Sequence, residues 1–100
     1  MEIKKLSRMP YAQAHVRIYN DGTIDLISYT TRVCTIDPSG WLTCTGTYSA
    51  TTRKHISAFM HEYGNGLGYY DAKKCYVDDI AMNLYSNMVK PIAQAIPWVA

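Results

Sequence analysis

AQAHVRIYNDGTIDLISY, residues 12–29, decides the fold, because two alternating runs flank Asn-Asp-Gly. Suppose Asn20, Asp21 and Gly22 form the loop, with Gly22 in the left-handed conformation. Tyr19 then faces Thr23, Ile18 faces Ile24, Val16 faces Leu26 and Ala14 faces Ser28. This register puts Ala14, Val16, Ile18, Ile24, Leu26 and Ser28 on one face. His15, Arg17, Tyr19, Asp25, Ile27 and Tyr29 fall on the other, with Arg17 opposite Asp25 as a cross-strand charge pair. A two-residue Asp-Gly turn would pair Ile18 with Asp25 and mix the faces, so the three-residue loop is preferred.

RVCTIDPSGWLTCTG, residues 32–46, repeats the device with Pro38 and Ser39 in the turn and Gly40 left-handed. Asp37 then faces Trp41, Ile36 faces Leu42 and Cys34 faces Cys44. Val33, Thr35, Trp41, Thr43 and Thr45 form the opposite face. YTTR, residues 29–32, joins the two hairpins without Gly, Pro or Asn. A tight turn there lacks support, which favours one long bent strand from Thr23 to Ile36. The expected sheet is a three-stranded antiparallel meander.

Outward from the sheet, TYSATTRKHISAFMHEYG, residues 47–64, reads as a helix. Ser49 or Thr51 caps it, and Ile56, Phe59, Met60 and Tyr63 form its apolar face. Gly64 stands where a left-handed closing residue is expected, so YGNGLGYY at 63–70 is a helix exit. A phosphate loop would need its glycines after a strand and before a helix. Asp71 caps a short second helix over about residues 72–79. Ile80, Met82 and Leu84 then suit an extended segment, although Val77, Ile80, Ala81, Leu84 and Met88 also fit a longer helix. Residues 1–10 are expected to be a lead-in and KPIAQAIPWVA, residues 90–100, an irregular apolar tail. The expected class is α+β in a single domain spanning residues 1–100: the meander, an amphipathic helix, a short helix and a short extended segment.

Composition bounds the function. The chain has 100 residues, 48% hydrophobic and 18% charged, with a formal charge of +2. That is globular composition, and too weak a charge to imply nucleic acid or membrane by itself. Nine tyrosines against one phenylalanine favour half-buried positions and contact surfaces. Neither a transmembrane-length apolar run nor a signal peptide is seen, which points to the cytoplasm. Three cysteines make no closed disulfide framework, and no close Cys pair suggests zinc. They read as reduced thiols, with no metal and no cofactor expected. Cys75 with a histidine lacks any positioned carboxylate or oxyanion donors, and Asp78 and Asp79 are too close in sequence to share a helix face. No enzyme and no catalytic residue is expected.

Binding candidates are clearer. SATTRKH, residues 49–55, places Thr51, Thr52, Arg53 and His55 at a helix N-terminus where a phosphate could sit. Arg17, Tyr19 and Tyr29 give the outer sheet face a basic-aromatic character. Trp41 is a further exposed candidate, and the tail adds Trp98 beside Ile92, Ile96 and Val99. Such a tail is expected to cover its own sheet or to pack in an assembly, including a homo-oligomer through tails or sheet edges.

WLTCTGTYSATTRKHISAF, residues 41–59, resembles a group of small uncharacterised bacteriophage and prophage proteins. They share a Trp-bearing hairpin followed by Tyr-Ser-x-Thr-Thr-x-x-His entering a helix, here Trp41, Tyr48, Ser49, Thr51, Thr52 and His55. The resemblance extends over about residues 10–86. It implies a phage or mobile-element origin, and with it a non-enzymatic accessory protein that binds and inhibits a host protein in the bacterial cytosol, of anti-CRISPR type. The alternative is a small nucleic-acid-binding or regulatory module using the outer sheet face or the Thr51–His55 helix entry.

Overall fold

The computed structural model describes residues 1–45 and 49–92. The chain runs β1 (Glu2–Lys4), β2 (Ala14–Ile18), β3 (Ile24–Ser28), β4 (Thr31–Ile36), β5 (Trp41–Cys44), α1 (Ala50–Tyr63), α2 (Tyr69–Asp78), β6 (Ile80–Asn83) and β7 (Val89–Pro91). The class is α+β, but the three-stranded meander is wrong. The described strands form one seven-stranded antiparallel sheet in sequence order, with both helices inserted between β5 and β6.

The glycine hairpins fold as their patterns dictate. Ile18 opposes Ile24, Val16 opposes Leu26 and Ala14 opposes Ser28. Cys34 opposes Cys44 and Ile36 opposes Leu42. Gly22 and Gly40 have φ of 97° and 90°. The long bent strand does not exist. Ser28 pairs with Thr31, so Tyr29 and Thr30 make a tight turn between β3 and β4. Tyr29 adopts φ 56° there, a conformation that costs a residue with a Cβ about 1–2 kcal/mol. Its amide donates to the Gln13 carbonyl at 2.7 Å, which holds it in place.

A register shift follows between Leu26 and Ile27: Ile27 pairs with Arg32 but Leu26 with Cys34. The extra residue is Val33, a bulge. Without it Cys34 would oppose Asp25 and the two faces would mix. The bulge also turns Val33 into the main core, correcting its assignment to the outer face.

Both helices pack on the inner face. Ile56, Phe59 and Met60 of α1 and Ala72 and Cys75 of α2 join Val16, Leu26, Cys34, Ile36, Leu42 and Cys44 in one cluster. Ser49 caps α1, its Oγ accepting from the Thr52 amide at 3.2 Å. Gly64 ends α1 with φ −77°, not left-handed as expected. Asn65 and Gly66 take the positive φ values instead, 51° and 93°. The second helix starts three residues before the expected position. Gly68 is its N-cap and Asp71 lies inside the first turn, accepting from the Gly68 amide at 3.0 Å. That is the acid half of a capping box, which explains why Asp71 looked like a cap.

The lead-in and the tail also contribute strands. Glu2–Lys4 adds β1 along β2, and Leu6 is fully buried in the core. Ile80–Asn83 is the extended segment anticipated, but it enters the sheet beside β5 and is itself paired by Val89–Pro91. Asn83 organises this end. Its Oδ1 accepts from the Tyr85 and Ser86 amides at 2.9 and 3.0 Å, an Asx-type turn, while its Nδ2 donates to the Ser39 carbonyl at 3.1 Å. Trp98, with Ile96 and Val99, lies outside the described residues, as does Tyr48.

Candidate functional site

The sheet's alternation puts Arg17, Tyr19 and Trp41 on the outer face, as expected. There the sequence hides a buried acid. Asp25 is 1% exposed, and its carboxylate accepts from Tyr19 Oη at 2.9 Å and Thr35 Oγ1 at 2.8 Å. Its ion-pair partner is Arg32, at 3.7 Å. Arg17 opposes Asp25 in register, yet its Nε donates to His15 Nε2 at 3.3 Å. The Lys90 ammonium sits 4.0 Å over the Trp41 ring, a cation–π contact. Tyr19 and Trp41 are therefore half-buried and engaged within the fold.

The helix-entry residues divide. Thr51 and Arg53 are exposed, but Thr52 and His55 are buried. They turn inward because 52, 55, 56 and 59 lie on one helical face with Ile56 and Phe59. Ser28 Oγ lies 3.0 Å from Thr52 Oγ1 and 2.9 Å from His55 Nδ1. Tyr29, expected on the outer face, stands instead on the α1 side, its ring 5.8 Å from the His55 ring and half exposed above this cluster. Burial pushes the His55 imidazole below its ordinary pKa. Ser28 and His55 have the spacing of a nucleophile and base, but both are sealed from solvent, at 2% and 1% exposure.

The cysteines are free thiols inside the core. Cys34 and Cys44 Sγ lie 2.8 Å apart across β4 and β5, on the face expected for them. Burial, then the Cys34 neighbour, pushes the Cys44 thiol up. Burial, then Cys44 and Asp71, pushes Cys75 up to about 12. A thiolate is the reactive species, so the shifts at Cys44 and Cys75 withhold it there, and burial shields all three from attack. In native protein at pH 8, an aromatic disulfide reagent is expected to leave them untouched over minutes. All three should react once denaturant is added. Fast reaction of any one in the native state would place it outside the core.

Sequence reasoning missed a groove between the N-terminal segment and α1. Ser7 fixes that segment to α1, donating from its amide and its Oγ to the Glu62 carboxylate at 3.2 and 2.8 Å. Arg8 and Met9 then face Lys54, Ser57 and Ala58 across a cavity of about 340 Å³. A second cavity of about 250 Å³ shares Arg8 and Ser57 and continues past His61 to Leu67 and Tyr69. The signal was in the helix: Lys54, Ser57, Ala58 and His61 fall at i, i+3, i+4 and i+7, one face with small residues between Lys54 and His61.

Among the described residues, no group of three His, Cys, Asp or Glu side chains could hold a metal ion, and no helix is long and apolar enough to cross a membrane. No curated protein and no solved structure matches the chain. Residues 1–76, from β1 through most of α2, match the model described as a Family of unknown function (DUF8033), and the chain belongs to that family.

Proposed function

We propose that the protein is a non-enzymatic binding protein that acts by engaging and blocking a partner protein. One observation carries this reading: the Ser28–His55 pair, Asp25 and the thiols point inward, while large aromatics point outward. Ser28, His55, Asp25 and the three cysteines are buried. Tyr11, Tyr29, Tyr70 and Tyr85 are each more than half exposed. Exposed tyrosine is characteristic of contact surfaces, because it supplies area with little conformational entropy to lose. The backbone of Tyr29 is also fixed by the hydrogen bond its amide donates to the Gln13 carbonyl and by its turn.

The finer reading is a bacteriophage accessory protein that inhibits a host protein in the bacterial cytosol, of anti-CRISPR type. Its support is the resemblance over residues 41–59. A nucleic-acid-binding module is the second reading, favoured by Arg8, Lys54 and His61 along one groove.

Affinity purification of the tagged protein from bacterial cytosol separates the two. A partner protein in fixed stoichiometry, weakened by the paired Tyr11→Ala and Tyr29→Ala substitutions, is the expected result. Absence of any partner, together with DNA or RNA binding that falls steeply with salt, would overturn it.

A further inference from the structure

We infer that the groove between the N-terminal segment and α1 takes an acidic, partly apolar peptide segment of the partner. This rests on the binding-protein reading and names the chemistry of what is bound.

The groove carries the Arg8 and Lys54 cations at one end and the His61 imidazole further along, over an apolar floor. Arg8 stands on one wall, Lys54 and His61 on the other, with Met9 and Ala58 between. Nearby acids are already engaged: Glu62 accepts both Ser7 donors and Asp71 accepts the Gly68 amide. At the far end the groove meets Gly68 and Tyr69, the start of α2, whose dipole adds positive potential.

Spacing narrows the ligand. Lys54 and His61 are seven residues apart on α1, which is about 10.5 Å along the axis. A polyproline II segment rises about 3.1 Å per residue with three residues per turn, so carboxylates at i and i+3 lie about 9 Å apart on one side. One carboxylate then meets Lys54 and Arg8, and the next meets His61. The intervening side chains fall against Met9 and Ala58. Nucleic acid fits less well. Single strands need aromatic faces on which bases stack, and the groove's aromatic is Tyr69, whose hydroxyl is tied to Tyr76 at 2.6 Å.

The probe is a fluorescein-labelled peptide of four Glu-Leu-Pro repeats, with a Lys-Leu-Pro peptide and a labelled single-stranded oligonucleotide as comparisons. Anisotropy should show the acidic peptide bound, the basic peptide unbound and the oligonucleotide weaker. The double variant Arg8→Glu, Lys54→Glu should weaken the acidic peptide at least tenfold. Both side chains are exposed, so its melting temperature should match the parent. Lys73→Glu, exposed on α2 and outside the groove, should leave binding unchanged. Equal binding to parent and double variant, or tighter binding of the oligonucleotide through the same two residues, would overturn the inference. If the acidic peptide fails while a stoichiometric partner is still captured, only the groove assignment falls. If the peptide binds but cytosol yields no partner, the groove stands and the binding-protein reading falls.

Discussion

Gly64→Ala is expected to destabilise the protein by about 3 kcal/mol, the upper end for a side chain forced into a filled space. The residue has φ −77°, which any amino acid adopts, so conformational freedom is not the reason for glycine. Room is. A Cβ there would lie 2.5 Å from the Leu67 carbonyl oxygen and closer still to that of Met60. Both neighbours are backbone and neither can swing aside. The Met60 carbonyl is also the acceptor of Gly64's own amide at 2.8 Å, so relief of the clash would break the closing bond of α1. The following turn, in which the Leu67 amide donates to Gly64 at 3.0 Å, would be displaced, and with it the start of α2. Gly22→Ala is the contrast. It meets only Pro38, at ordinary van der Waals distance, and carries backbone strain alone, about 1 kcal/mol. Denaturant melts of the two variants check the ranking. Equal losses would mean that α1 and α2 are joined more loosely than this geometry requires.

These glycines show where the sequence was readable. Gly22 and Gly40 sit between alternating runs, and turn and pattern select the same register. The β3–β4 turn was invisible because Tyr29 adopts positive φ where no glycine or asparagine signals it. Its stabilising bond comes from Gln13, which the chain reaches only after folding. The strands β1, β6 and β7 have three or four residues each, too few for alternation to declare itself. They are strands because a neighbour offers a ladder. The site was legible in part. Arg17, Tyr19 and Trp41 share a face by parity alone. His55 reads as a binding candidate at the helix entry from its polar neighbours, although its spacing from Ile56 and Phe59 marks it as inward. The groove needs Arg8 brought across to α1 by Ser7 and Glu62, 55 residues apart in sequence, and no local pattern encodes that.

His55→Ala should be the costliest single change considered, about 3–5 kcal/mol, because it opens a cavity in the core and strips a buried hydroxyl of its partner. The hydroxyls beneath Tyr29 are spaced so that they can form a directed chain. Ser49 Oγ donates to Thr52 Oγ1 at 3.3 Å; Thr52 can then donate to Ser28, and Ser28 to His55 Nδ1. This order requires a neutral imidazole with a free lone pair on Nδ1. A proton there makes Nδ1 a donor, reverses Ser28, and leaves Thr52 receiving from both sides. Burial disfavours the charged ring in the same sense and holds its pKa below the unfolded value. The folded state therefore binds that proton less tightly than the unfolded chain. Stability from this group is complete above the unfolded pKa, about 6.5, and is lost as pH falls from there through the folded value. Urea melts at pH 7.5 and 5.0 should show the parent weaker at pH 5.0. His55→Gln should flatten the difference, since the amide can accept from Ser28 and does not titrate. A parent with equal stability at both pH values would show that the folded imidazole takes up a proton as readily as the unfolded one, and a His55→Gln variant that keeps the full loss would assign the pH dependence to another group.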